Sequence, residues 1–105
     1  MSAHRLRTSS REFFGERFRD NLSSARRRSG LTQEELGAKA GIGGHMVRLL
    51  ESGDRSPQLE TALRLADSMD EPLDRLVLDI EWLPAELVTR GGDYVRARRP
   101  HTARP

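Results

Sequence analysis

Arginine dominates the side chains of this sequence that could take part in chemistry. The chain has 105 residues and 18 basic side chains, of which only Lys39 is a lysine, and it contains no cysteine. Arginine forms paired hydrogen bonds to phosphate oxygens and to guanine, which lysine cannot reproduce. The lack of cysteine excludes disulfides, thiolate nucleophiles and cysteine-ligated zinc or iron–sulfur sites. The residues therefore favour recognition of an anionic partner over covalent chemistry.

The charges are unevenly distributed along the chain, although the net charge is only +2. Residues 1–30 carry a net +5, residues 31–79 a net −5 and residues 80–105 a net +2. Within the central segment, residues 31–57 are nearly neutral at −1 and residues 58–79 hold the remaining −4. We expect a polar molecule, with arginines on the side that faces an anionic partner and acidic groups on the far side.

The most informative segment runs from Thr32 to Ser52. Thr32 and Glu35 have the T-x-x-E spacing of a capping box, which predicts the start of a helix that ends at Gly41. A turn of three or four residues and a second short helix follow. This is the spacing of a helix-turn-helix, in which the second helix lies in the DNA major groove.

Residue types in this segment fit that geometry. Ala40 is small where the two helices cross, and Gly41 permits the positive φ of the turn. Ile42 fills the space between the helices, and Val47 and Leu50 anchor the second helix from below. The outward positions, free to face a ligand, are Gly44, His45, Arg48, Leu49 and Ser52.

Three further helices are predicted to position this motif. A first helix begins at Glu12, with an apolar stripe through Phe14, Phe18, Leu22 and Ala25. A fourth spans residues 58–69, with a stripe through Leu59, Ala62, Leu63, Ala66 and Met69. A short fifth carries Leu73, Leu76, Val77 and Ile80. Five helices joined by short loops predict a small all-α domain.

The pattern changes after residue 80. Residues 84–87 could form one helical turn, Gly91 and Gly92 a hinge or turn, and residues 93–96 have weak strand character. Several apolar residues here exceed what a five-helix core needs, and we interpret them as a dimer or partner contact: Leu76, Val77, Ile80, Trp82, Leu83 and Val88.

Several motifs of the chain together resemble one family. They are G-L-T-Q-E-E-L at residues 30–36, A-G-I at 40–42, V-x-x-L-E-x-G at 47–53, and the segment from Ser56-Pro57 through Leu65. With the first helix, they make residues 14–78 similar to the Xre/lambda-repressor (Cro/CI-type) helix-turn-helix family. The resemblance implies a five-helix lambda-repressor-like DNA-binding domain, followed here by a short, partly extended C-terminal tail.

The resemblance also implies roles for individual residues. Base reading falls to Gly44, His45, Arg48 and Leu49. Contacts to the DNA backbone fall to Gln33, Ser52, Arg55, Gln58, Arg26 and Arg27. Glu51 has a structural role in this pattern, tying the end of its helix to a nearby arginine or backbone amide. Gly43 stands where the family often has serine, so the second helix of the motif lacks the usual capping oxygen.

We divide the chain into a flexible basic arm (residues 1–11), a helix-turn-helix domain (12–80) and a C-terminal extension (81–105). The extension would mediate dimerisation or partner binding and end in a disordered basic tail. No apolar run of membrane-spanning length and no signal peptide is found, so we expect a prokaryotic cytoplasmic or nucleoid location.

The expected function is sequence-specific DNA binding by a transcriptional regulator, a repressor that reads the major groove as a homodimer. One domain reads too few base pairs to define a genomic site, which is why a dimer is expected. Two alternatives stay open: an antitoxin that autoregulates its operon and holds a toxin through its extension, or a helical protein-interaction domain without DNA binding.

An enzyme is not expected, and neither is a cofactor or a metal. The sequence shows no nucleophile–base pair and no glycine-rich phosphate loop, and His4, His45 and His101 lack ligand spacing.

Overall fold

Four α-helices and a small antiparallel sheet form the part of the chain that the computed structural model describes, residues 10–85 and 91–97. The helices are α1 (Ser10–Arg28), α2 (Gln33–Ala40), α3 (Gly44–Glu51) and α4 (Leu59–Ser68). A single 3-10 turn (Leu73–Arg75) leads into strands β1 (Ile80–Leu83) and β2 (Asp93–Arg96). The mainly helical fold agrees with the prediction, but four helices and a two-stranded sheet replace the predicted five helices.

The predicted boundaries of α2 are confirmed by its caps. The Glu35 backbone N–H donates to Thr32 Oγ1 (3.0 Å), and the Thr32 N–H donates to Glu35 Oε1 (2.9 Å), which completes the capping box. Gly41 ends the helix at φ 73°, a left-handed conformation that costs glycine little. Each of these bonds satisfies a backbone group that helix ends leave unpaired.

The hydrophobic core lies between the four helices and the turn that follows them. The predicted stripe of α1 is confirmed, with Phe18, Leu22 and Ala25 buried and Phe14 packed against the core. Helix α3 contributes Val47 and Leu50, as predicted. The remaining buried members are Leu36, Ala40, Ala62, Leu65, Ala66, Met69 and Leu76.

Helix α4 buries only part of the predicted stripe: Ala62, Ala66 and Met69 lie in the core as predicted, but Leu59 and Leu63 do not. Leu59 is 75% exposed and Leu63 is 48% exposed, although both belong to the predicted stripe. The inner face instead includes Leu65 along with Ala62 and Ala66. Two overlapping stripes with helical spacing exist in this segment, and packing of α4 against α2 selects the second one.

The predicted fifth helix is wrong beyond its first turn. The Asn21 side chain of α1 donates to the carbonyls of Leu76 (3.1 Å) and Leu78 (2.9 Å), so the Leu76 carbonyl has a side-chain partner. The Ile80 N–H bonds to Val77 (3.2 Å) rather than to Leu76, and Asp79 has φ 70°. A regular helix is therefore interrupted, and the chain enters β1.

Strand β2 packs against α1, and β1 pairs with β2. In their register Trp82 pairs with Tyr94, and the Tyr94 ring lies 4.9 Å from the Trp82 ring and 5.0 Å from that of Phe14. Asp79, just before β1, also links the sheet to α1 through two ion pairs. Its carboxylate lies 2.5 Å from the guanidinium of Arg96 in β2 and 3.5 Å from that of Arg17 in α1. The predicted strand character of residues 93–96 is confirmed.

Some predictions fall outside the described residues. They concern the basic arm up to residue 9, the second half of the helical turn at 84–87, Val88, and the basic tail from residue 98.

The turn between α2 and α3 depends on Gly37, which the sequence did not single out. Its carbonyl accepts hydrogen bonds from the N–H groups of Ile42 and Gly43, both at 3.0 Å. A Cβ at position 37 would overlap the backbone of Gly43 and Gly44. The position that must lack a side chain at the start of α3 is therefore Gly37, one turn before the predicted Ala40.

We expect Gly37→Ala to destabilise the protein by about 1–3 kcal/mol, because the added methyl group forces the turn away from α2. Urea unfolding followed by circular dichroism measures the loss. Gly15→Ala is the matched control, since Gly15 is also buried in a helix but has its nearest neighbour, the Gly53 carbonyl oxygen, at 3.5 Å. That variant should be neutral or up to about 1 kcal/mol more stable. Equal stability of both variants would contradict the assignment.

Candidate nucleic-acid interface

Helix α3 has one face in the core and the other in solvent. Val47 and Leu50 are buried, whereas His45 and Arg48 are exposed and Leu49 is half-buried. Gly43 precedes the helix without any side-chain cap. Of the residues predicted to read bases, the structure thus exposes His45 and Arg48 most.

Arg48 is held by an acidic partner from α2. Its Nη1 donates to Glu34 Oε2, and both side chains are exposed. The Glu34 side chain passes over Gly44, where an added Cβ would lie 3.1 Å from Oε2. Gly44 is half-buried beneath this carboxylate. Sequence reasoning missed Glu34, because a pair between positions 34 and 48 depends on the angle at which α2 and α3 cross.

A second carboxylate, that of Glu51, joins three helices at the end of α3. Arg26 of α1 donates to it twice, through Nε to Oε2 (2.6 Å) and through Nη2 to Oε1 (3.1 Å). Ser23 Oγ (2.9 Å) and Gln33 Nε2 (3.1 Å) also donate to Oε1. The predicted link between Glu51 and a nearby arginine is confirmed.

The pKa of Glu51 reflects two opposing effects. Burial alone would raise it, since only 6% of the side chain is exposed, but the hydrogen bonds from Arg26, Gln33 and Ser23 outweigh burial and lower it. The pKa of Arg26 is raised, chiefly by its hydrogen bond to Glu51. The pair is therefore fully charged at neutral pH.

The Glu51 network corrects one predicted backbone contact. The guanidinium of Arg26 also donates from Nη1 to the Leu31 carbonyl (2.9 Å), and the side chain is only 14% exposed. Arg26 is thus committed within the fold and is not available at the surface for a phosphate. Gln33, at the first position of α2, uses one amide hydrogen for Glu51 and is half-buried.

The other predicted backbone residues lie at the surface. Ser52 is exposed and its hydroxyl donates to the Leu49 carbonyl (2.8 Å). Arg27, Arg55 and Gln58 are exposed, and their side chains form no hydrogen bond or ion pair within residues 10–85 and 91–97. These three side chains are free to meet a ligand.

Two residues predicted to contact a partner are part of the core instead. Leu76 is fully buried and Ile80 is 5% exposed, because Asn21 draws this segment against α1. Val77 and Leu83 are half-buried, and Trp82 is 48% exposed. Among the described members of this predicted set, Val77, Trp82 and Leu83 keep surface available for a second molecule.

Within the part of the chain that the structure describes, no three histidine, aspartate or glutamate side chains come together as metal ligands. No described helix combines the length and the apolar character needed to span a bilayer.

The lowered pKa of Glu51 predicts a dependence of stability on pH. The native carboxylate releases its proton more readily than an unfolded glutamate, whose pKa is about 4.5, so its contribution is complete above that value. The stability that the Glu51 carboxylate contributes is lost as the pH falls from about 4.5 through the native pKa. Glu51→Gln leaves the Arg26 charge without its counterion, and we expect a loss of roughly 3 kcal/mol at pH 7.

Unfolding free energies from pH 7 to pH 2 measure this effect in both proteins. The gap between wild type and Glu51→Gln should narrow below pH 4.5, because the variant has no carboxyl group to protonate at this position. A gap that stays constant across this range would show that Glu51 does not titrate with folding.

Proteins of known structure share this fold. A crystal structure of an HTH_3 family transcriptional regulator from Vibrio cholerae is similar, with a TM-score of 0.60 and 20% identity over 63% of this chain. The match spans only 37% of that regulator's length. The restriction-modification controller protein C.AhdI from Aeromonas hydrophila has a TM-score of 0.57 and 31% identity, covering 59% of this chain and 94% of its own.

The family of this chain follows from its sequence. No curated protein matches the chain. The family described as HTH_3, helix-turn-helix, matches residues 22–76, which is more than half of the chain and contains the whole of α2, the turn and α3. The chain therefore belongs to the helix-turn-helix family of the Xre/lambda-repressor type, a family of DNA-binding transcription regulators.

Proposed function

We propose that this protein regulates transcription by binding double-stranded DNA at specific sequences, with α3 in the major groove. One observation carries the proposal: α3 is fixed by the core on one face and by Glu51 at its end, while its other face presents His45 and Arg48. A short helix held rigidly with a free polar face is what direct reading of base edges requires. A transcriptional regulator and a restriction-modification controller protein have similar structures, which supports a regulatory role.

Arg48 is the main base reader in this proposal. Its guanidinium can donate two parallel hydrogen bonds to O6 and N7 of guanine. His45 contacts an adjacent base, Leu49 contacts a thymine methyl group, and Gly44 lets the start of the helix approach the groove closely.

Backbone contacts would hold the helix in register. Gln33 lies at the N-terminus of α2, where the helix dipole favours a phosphate. Arg27, Arg55 and Gln58 supply exposed donors on neighbouring segments, and the exposed Ser52 would exchange its hydrogen bond to the Leu49 carbonyl for one to a phosphate. Such contacts orient a protein on the duplex without reading its sequence.

We expect Arg48→Ala to relax specificity at one base pair, with a loss of about 1–3 kcal/mol of discrimination there. Selection from a random pool of duplexes defines the sequence that the wild type prefers. Affinities for this duplex, its single-base variants and an unrelated duplex then separate the two kinds of contact. Arg27→Ala is the control that should weaken binding to all sequences alike and reduce the salt dependence.

Equal losses on all sequences for both variants would refute the role of Arg48. Failure of the wild type to bind any duplex would favour the alternative of a protein-interaction domain. Purification with a second protein, together with DNA binding, would favour the antitoxin alternative.

We further propose that the protein acts as a homodimer on a palindromic site, as a repressor, with the C-terminal strands as the dimer contact. Trp82 and Tyr94 face α1, so the strand alternation places Leu83 and Val95 on the opposite face of the small sheet. These two half-buried side chains form the proposed surface.

Leu83→Glu should abolish dimerisation and reduce affinity for the palindrome by at least about tenfold, because each half-site then binds alone. Sedimentation velocity gives the oligomeric state, and circular dichroism shows whether the variant is folded. Leu59→Glu places the same charge on a more exposed leucine of α4. Loss of the dimer in Leu59→Glu but not in Leu83→Glu would locate the interface on α4 instead.

A further inference from the structure

The contact between Glu34 and Arg48 lies on the surface that the proposed function turns towards DNA. Glu34 is the second residue of α2, and Arg48 lies one turn beyond Gly44 on α3. Their ion pair crosses from the first helix of the motif to the second. Exposed ion pairs add little to stability, typically about 0–1 kcal/mol. The main effect of the Glu34–Arg48 pair is therefore on the orientation of the Arg48 side chain.

Gly44 makes room for this contact. An added Cβ at position 44 would lie 3.0 Å from Glu34 Cα, 3.1 Å from Cγ and 3.1 Å from Oε2. Glycine near the start of an uncapped helix costs up to about 1 kcal/mol relative to alanine. The absence of a side chain at Gly44 leaves the space through which the Glu34 carboxylate reaches Arg48.

The atoms used by the ion pair leave the base-reading edge of Arg48 open. Glu34 takes Nη1, while Nε and Nη2 have no partner within residues 10–85 and 91–97. These two nitrogens form one edge of the planar guanidinium, and a pair of parallel donors is what O6 and N7 of guanine accept. Arg48 can therefore contact guanine without first leaving Glu34.

We propose that Glu34 is a positioning residue that sets the specificity of this protein by fixing the orientation of the Arg48 guanidinium. The inference rests on the proposed function. A free arginine side chain loses rotamer entropy on binding, and it can turn to a phosphate as easily as to a base. Held by Glu34, Arg48 has less of this entropy to lose at guanine, and the nearby carboxylate disfavours its use on phosphates.

The test compares Glu34→Gln with the wild type on the duplex selected from a random pool, on its three variants at the Arg48-dependent base pair, and on an unrelated duplex. We expect discrimination at that base pair to fall roughly tenfold. Affinity for the unrelated duplex should stay the same or rise, because a negative charge near the phosphates has been removed. A merely structural role would lower all affinities by one factor.

Two further variants make the result specific to Arg48. In an Arg48→Ala background, Glu34→Gln should change discrimination at that base pair less than twofold, because the residue it positions is gone. Gly44→Ala should reproduce the loss of discrimination, since its methyl group displaces the carboxylate. Glu60→Gln is the matched control: Glu60 is an exposed acid 3.6 Å from Arg64 on α4, and its variant should retain full discrimination.

Three outcomes overturn the inference. Unchanged discrimination in Glu34→Gln, with a selective wild type, overturns it alone. An equal loss of affinity on every duplex assigns Glu34 a structural role instead. A wild type that selects no sequence overturns the proposed function and this inference together, so the two failures are distinguishable.

Discussion

The buried carboxylate of Glu51 is the interaction on which the rest of the motif depends. It receives four hydrogen bonds, from Ser23 and Arg26 of α1 and from Gln33 of α2, while belonging to α3. A charge removed from water is costly unless its partners are well placed, and replacing such a pair with apolar residues is often neutral or stabilising. Here the carboxylate connects three helices, and removing either partner would leave the other charge buried without its counterion.

The two carboxylates of the motif act at opposite ends of α3. Glu51 fixes the C-terminal end inside the fold, and Glu34 crosses the N-terminal end on the surface. Between them, Val47 and Leu50 hold one face of the helix in the core. Gly37 sets how closely α2 approaches the turn. The orientation of the exposed face thus follows from polar contacts at the ends and packing in the middle.

Local patterns predicted much of this arrangement because their signals are confined to a few neighbouring residues. The capping box of Thr32 and Glu35, the turn at Gly41 and the inward pair Val47 and Leu50 are all properties of one helix or turn. The role of Glu51 was predicted from family resemblance. The buried face of α4 was predicted only in part, since two apolar stripes compete in that helix and packing against α2 decides between them.

What the sequence could not predict depends on contacts between distant segments. The fifth helix was expected from the spacing of Leu73, Leu76, Val77 and Ile80, but Asn21 binds the carbonyls of this stretch from 55 and 57 residues away. Glu34 was missed for the same reason. Arg26 was assigned to a phosphate, because its contact with Glu51 of another helix leaves no signal in the local sequence. No local pattern records where a side chain from another helix will arrive.

The hydrogen bonds of Asn21 also bear on the order in which parts of the protein fold. Helix α1 is the first described element of the chain, yet its contacts extend to the Leu76 and Leu78 carbonyls and to the Tyr94 ring. Closing such long loops costs chain entropy before the contacts form. During synthesis, α1 therefore gains the last of these described partners only after residues 93–96 have left the ribosome.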